Sequence, residues 1–217
     1  MRKYRTRKEK AFRRAAVIAL LIAALCATNA MNFLPRQAVR DAADSQNMGE
    51  FTVIRSFYDG KLRCYRMARQ YMVESADALL LCAVGFDPLV GWYDRDWCAV
   101  STDDGNGIHM GYRGHQQGEA YSGYFFGRLD DENIVQVKLR WKNAGENDDE
   151  HWCEKTLDKD VFFAGENGKR YLLWEADSFN ATNTRWFQGM TAYAYDEAGK
   201  LLAEEEVHWH DWGTSDK

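Results

Sequence analysis

Between Val135 and Trp141 the apolar residues Val135, Val137, Leu139 and Trp141 alternate with the polar Gln136, Lys138 and Arg140. A period of two puts one set on each face of a strand, a spacing that a helix cannot turn into a single apolar stripe. The same sign recurs along the chain. Phe51, Val53, Arg55 and Phe57 alternate with Thr52, Ile54, Ser56 and Tyr58, and Asp59-Gly60 then offers a turn leading to Leu62, Cys64 and Tyr65. Val161–Ala164 and Arg170–Glu175 flank Asn167-Gly168 as a second hairpin. Arg185–Tyr195 and Lys200–Trp209 flank Glu197-Ala198-Gly199 as a third. Ala78–Phe86 is apolar without a break, which fits a strand buried on both faces, and Tyr71-Met72-Val73 and Tyr124–Gly127 add further strands. Turns at short intervals between such runs predict an all-β fold, an antiparallel sandwich or barrel-like domain over residues 50–212.

The start of the chain is of a different kind. Eight basic residues and one acid precede an apolar run from Ala15 to Ala27. Cationic residues beside an apolar segment stay on the cytoplasmic side, so the chain beyond it is expected outside. Read on to Leu34, the segment has about the twenty residues needed to span a bilayer. It therefore reads as a signal-anchor helix over 15–34 behind a basic head over 1–14. The alternative is a cleaved signal, with Thr28-Asn29-Ala30 as its small-residue site. Lipidation at Cys26 is disfavoured by the bulky Leu25 before it. Residues 35–49 are polar and alanine-containing and read as a stalk or linker; 213–217 form a tail.

The whole chain has 28 basic and 33 acidic residues, net −5. With the first thirty residues set aside, 20 basic face 32 acidic ones, net −12. So acidic a body would be repelled by phosphates, which excludes nucleic acid as a partner, and it would not lie flat on an anionic membrane. The expected partners are the membrane, through the N-terminal helix, and an envelope protein or wall carbohydrate. Cys64, Cys82, Cys98 and Cys153 allow two disulfides in an exported chain, in three possible pairings.

Candidate sites follow from side-chain chemistry. His208 and His210 fall on one face of a strand with Glu204 and Glu206, and two imidazoles at that spacing can share a metal. Asp103-Asp104-Gly105-Asn106-Gly107 reads as a sharp acidic turn, with calcium as the alternative. His109 and His115 flank Gly111–Gly114, but no residue nearby is marked as a nucleophile. Trp92–Gly123 is rich in glycine and reads as a long loop, where function tends to sit. Its rings Trp92, Trp97, Tyr112 and Tyr121, with Tyr93, Trp152 and Trp186 in or near loops, are candidates for stacking on sugars or docking a protein.

Phe125–Val137, followed by the Ala194–Lys200 turn, resembles small uncharacterised membrane-anchored β-domain proteins exported by Gram-positive bacteria. The resemblance covers about the C-terminal third. It implies an extracytoplasmic location, no known catalysis and no transferable site residues. Taken together, these readings predict a membrane-anchored outer domain with a binding or structural role, no cofactor and no identified catalysis. The alternative is a hydrolase or metal-binding protein using the His-bearing loops.

Overall fold

The apolar stretch at residues 78–86 sits at the centre of the first sheet. In the computed structural model it is β3 (Ala78–Asp87), and its side chains are buried from Leu79 to Val84. The structure describes residues 7–27, 32–58, 68–88, 90–103, 105, 107–117, 120–144, 150–180 and 189–209. For 9, 22–23, 25–27, 115–117, 120–122, 142–144, 150–151, 177–180 and 209, the backbone alone is described.

β3 lies between β2 (Arg69–Glu74) and β4 (Gly91–Ser101), with β1 (Thr52–Tyr58) on the edge beyond β2, giving a four-stranded front sheet. β1 pairs with β2 from Thr52↔Glu74 to Tyr58↔Arg69. The expected turn and second arm of that hairpin, residues 59–67, lie outside the described residues.

A middle sheet follows, made of β5 (Ile108–Gln117), β6 (Ala120–Leu129), β9 (Phe162–Ala164), β10 (Arg170–Asn180) and β13 (His208–Trp209), in the order β13-β5-β6-β10-β9. Its pairs are antiparallel except β13 with β5. The back sheet, in the order β12-β11-β7-β8, holds β7 (Gln136–Ala144), β8 (Glu150–Leu157), β11 (Thr191–Tyr195) and β12 (Leu201–Glu206). Two of the three expected hairpins form, β9 with β10 and β11 with β12, although β11 begins only at Thr191 and residues 185–188 of its expected arm lie outside the described residues. The strand expected over 200–209 breaks at Val207. This residue is buried, donates its N–H to Met190 O at 2.9 Å, and carries the chain from the back sheet to the edge of the middle one.

Alternation explains the layering. Leu79 and Leu81 face the middle sheet, where they meet Tyr124, Phe126 and Tyr171. Leu80, Cys82 and Val84 face the other way, onto α2 (Pro35–Ser45). In β6, Phe125 and Leu129 point to the back sheet and pack with Leu139, Trp141 and Leu172. The order is helix, front sheet, middle sheet, back sheet, with an apolar layer between each pair.

Two segments depart from the reading of the sequence. Residues 35–45 are not a free stalk. Ala38, Val39, Ala42 and Ala43 recur at helical spacing and are fully buried against the front sheet, so small residues let this helix lie close. The stretch from Trp92 to Gly123 is not a long loop but β4, β5 and the start of β6. Its glycines serve packing as well as turns: a Cβ on Gly111 would stand 2.6 Å from Phe126 Cζ and 2.8 Å from Val100 Cγ1.

α1 (Arg7–Ala27) carries the basic residues and the apolar run, and Val17, Ile18, Leu20 and Leu21 on it are exposed. The helix is described as far as Ala27, and Asn32, Phe33 and Leu34 are not helical, so it does not run to the expected Leu34. No helix among the described residues is long and apolar enough to cross a membrane.

Candidate functional site

The interface between the front and middle sheets is where charge is buried. β6 places Tyr124, Phe126 and Arg128 on one face, so the alternation that buries two aromatic rings also drives a guanidinium inward. Arg128 Nε donates to Asp130 Oδ1 at 2.6 Å and Nη2 to Asp130 Oδ2 at 2.7 Å, a bidentate pair. Its Nη1 donates to Glu74 Oε1 at 3.0 Å, and Nη2 also reaches Thr102 O at 2.9 Å. One side chain thus ties β6 to β2 and to the chain leaving β4.

Glu74 is held from several sides. Its Oε2 accepts from Tyr171 Oη at 2.8 Å and from Asn167 Nδ2 at 2.9 Å. Lys169 Nζ adds a bond to Oε1 at 3.2 Å. On the opposite side of Arg128, His109 is fully buried. Its Nε2 lies 3.0 Å from Asp130 Oδ2, and its Nδ1 lies 3.8 Å from Glu205 Oε2.

The shifts in acidity follow from this geometry. Burial works against the charge on Arg128, but the bonds to Asp130 and then Glu74 outweigh it and hold the guanidinium above its ordinary value. Burial likewise favours a neutral Asp130. The bonds from Arg128 and His109 outweigh it and hold that carboxyl below the usual range. Burial, then the neighbouring Glu74, pushes the Tyr171 phenol up.

A second tie lies further along the same interface. Gln70, Ala83 and Asp96 sit in one row across the front sheet. Arg113 of β5 spans that row, donating from Nη1 to Asp96 Oδ2 at 2.8 Å and from Nη2 to Gln70 Oε1 at 2.6 Å. Its guanidinium also stands 5.8 Å from the Tyr124 ring.

Both ties neutralise charge between sheets. A general base has to reach a substrate's proton, and His109 has no exposed surface from which to do so. The sequence reading passed over Arg128, Glu74, Asp130 and Arg113. The available signal was a charged residue at an inward position of an otherwise aromatic strand face.

The aromatic candidates fall elsewhere. Tyr112 is buried in the core between the middle and back sheets, 4.6 Å from the Phe125 ring. Trp92 and Trp97 lie on β4 and pack against the α2 cluster, with Trp92 5.5 Å from Phe86. These three rings are packing residues because the supposed loop is sheet. Tyr121 is on β6 and His115 on β5, but their side chains lie outside the described residues. Trp152 is different. It belongs to β8, an edge strand the sequence reading missed, and it is 49% exposed with Arg140 4.2 Å above its ring.

Trp152 marks the outer face of the back sheet. Val137, Leu139, Ala192 and Ala194 point inward, so Lys138, Arg140, Tyr193 and Tyr195 point out. Glu154 stands 3.7 Å from Lys138 and 3.6 Å from Arg140. At one end of the sandwich, a groove of about 720 Å³ is lined by Glu132, Lys159, Arg170, Asp196 and Lys200 among others. Much of its charge is already bonded: Lys159 to Glu197, and Arg170 to the carbonyls of Glu132 and Ile134.

His208 is exposed on β13, whereas Glu204 and Glu206 stay in the back sheet, so the strand break separates them into two sheets. His210 lies outside the described residues. No group of three or more His, Cys, Asp or Glu suited to a metal occurs among the described residues. Asp103 is exposed and Gly105 and Gly107 take positive φ, as a tight turn requires; Asp104 and Asn106 lie outside the described residues. Cys82, Cys98 and Cys153 are free thiols. Cys82 faces α2, Cys98 faces the middle sheet and Cys153 packs on the back-sheet core, so no two of these three pair with each other. Cys64 lies outside the described residues.

No family model matches this chain, and no curated protein or solved structure matches it. Fold and site together define only a class: a helix-capped domain of three stacked sheets, cross-tied by buried ion pairs.

Proposed function

We propose that this chain is a membrane-anchored protein with its N-terminus inside and its β body outside, where the body has a binding role at the cell envelope. The observation that carries this reading is α1. Its apolar side chains Val17, Ile18, Leu20 and Leu21 are exposed, while the body's layers are filled by other residues. An apolar helix behind a cationic head gains most by entering lipid, head inward. The acidic balance of the body suits the far side of a membrane better than a nucleic-acid surface.

The binding face is the outer surface of the back sheet, around Trp152, Arg140, Lys138, Tyr193 and Tyr195. A sheet face with an exposed indole and alternating polar groups suits stacking on wall carbohydrate. The buried charges support a non-catalytic role, since they are engaged in ties between sheets.

Two measurements test this reading. In an alkaline-carbonate wash of cell membranes the chain stays in the pellet, and changing Leu20 and Leu21 to arginine releases it. In a cosedimentation assay with purified cell wall, Trp152→Ala reduces binding severalfold and leaves the melting temperature nearly unchanged. Release of the unaltered chain by carbonate, or full wall binding by Trp152→Ala, overturns the corresponding half.

A further inference from the structure

The apolar run of α1 is short for its task. Thirteen residues from Ala15 to Ala27 rise about 20 Å, against a hydrocarbon core of about 30 Å. A span that falls short draws flanking groups toward the interface. What flanks it here is the body itself. Asn32 is already docked: it bridges to Gly91 and accepts a bond from Trp92 N at 2.7 Å. Only four residues separate it from Ala27, so the docked point lies within about 18 Å of the helix end.

Several apolar side chains are exposed near that bridge. Outside α1, six large apolar side chains among the described residues are exposed: Leu34, Tyr58, Phe86, Val90, Trp152 and Leu201. Three of them gather here. Val90 adjoins Gly91, Phe86 is the strand partner of Trp92 with its ring 5.5 Å away and tilted to it, and Leu34 is two residues from Asn32. Pro88, at the tip of the same hairpin, is also exposed.

We infer that the β3–β4 hairpin tip and Leu34 form a second membrane contact, dipping into the outer lipid interface beside the helix. This rests on the anchor reading above. The partner is lipid rather than protein because the patch is covalently held within reach of the bilayer. The attraction is apolar rather than electrostatic: the body is acidic and Asp87 sits in the patch, so zwitterionic lipid suffices. A small apolar tip held by a neighbouring anchor needs little affinity of its own, since the tether supplies a high local concentration. The body then stands directly on the membrane, and α2 serves as its foot rather than as a stalk.

The test uses the full chain reconstituted in phosphatidylcholine vesicles with tagged acyl chains. A photoreactive benzophenone side chain is placed in turn at Phe86, Val90, Tyr58 and Leu201. Flotation reports anchoring, and irradiation reports contact. The expected result is flotation of all four, with lipid adducts at 86 and 90 severalfold above those at 58 and 201. Flotation with equal adduct yields at all positions overturns the second contact and leaves the anchor standing. Adducts at 86 or 90 that join two copies of the chain overturn lipid as the partner. Failure to float overturns the anchor and this inference together. Thermal melts confirm that these exposed replacements leave the fold intact.

Discussion

The two faces of the middle sheet are held by different physics. Toward the back sheet it presents Ile108, Met110, Phe125 and Leu172 in a layer built mainly of apolar side chains. Toward the front sheet the rings of Phe126 and Tyr171 share the layer with Arg128, Arg113 and His109. Apolar burial is non-directional and tolerates small shifts. A buried ion pair adds little net stability but penalises any arrangement that leaves a charge alone. The front interface is thus the one whose geometry is specified by polar bonds, and the one whose strength depends on pH.

The largest effect comes from breaking one interface of each kind. Arg128→Ala takes the buried guanidinium from the Glu74 and Asp130 carboxylates, leaving Glu74 only the half-exposed Lys169 as a cation, and costs about 3–5 kcal/mol at neutral pH. Leu139→Ala in the back interface costs about 2–5 kcal/mol by cavity formation. Urea unfolding at several pH values separates them. The Arg128→Ala penalty shrinks in acid as the Asp130 carboxyl gains its proton, and the Leu139→Ala penalty does not.

A smaller effect is the acid limit of the unaltered protein. The folded-state carboxyl of Asp130 is held below its ordinary value, so its contribution is fully present above the unfolded value, about 3.9. That contribution is lost as pH falls through the folded value. Melting temperatures recorded from pH 6 to pH 2 therefore fall at the acid end. Asp130→Asn lowers the plateau and flattens that fall.

The smallest effect concerns the thiols. Burial, above all, pushes Cys82 up to about 12, and the thiolate is the reactive form. In the native protein a maleimide leaves Cys82 unmodified over hours, whereas the half-buried Cys153 reacts. Mass spectrometry of the digested adduct reads both. Labelling of Cys82 at the rate of Cys153 would mean that α2 leaves the front sheet readily.

The strands were legible where side-chain period alone decides them. β3 announces itself by an unbroken apolar run and β7 by strict alternation, and the glycine turns mark the hairpins β9–β10 and β11–β12. Segments whose character depends on a distant partner were not legible. Small alanines at 38, 42 and 43 suit a solvated stalk as well as a close-packed helix, and only the front sheet's surface decides between them. Glycines 111, 114 and 123 mimic a loop until the rings of Phe126 and Tyr112 are seen lying over them. β8, an edge strand with Glu154, Lys155 and Thr156 exposed in a row, offers too little apolar signal. The ion ties were hidden because Glu74 and Arg128 are 54 residues apart in the chain. Trp152 was visible as an aromatic candidate, but its setting on a sheet face beside Arg140 was not.

In the proposed arrangement the leader carries the stacked-sheet body across a membrane and leaves it outside. The direct measurement is amine labelling of intact, wall-stripped cells with a membrane-impermeant reagent, read residue by residue by mass spectrometry. The body's exposed Lys159 and Lys200 are expected to be labelled before lysis, and Lys8 in the head only after it. Protection of Lys159 and Lys200 until the membrane is broken would place the body inside instead.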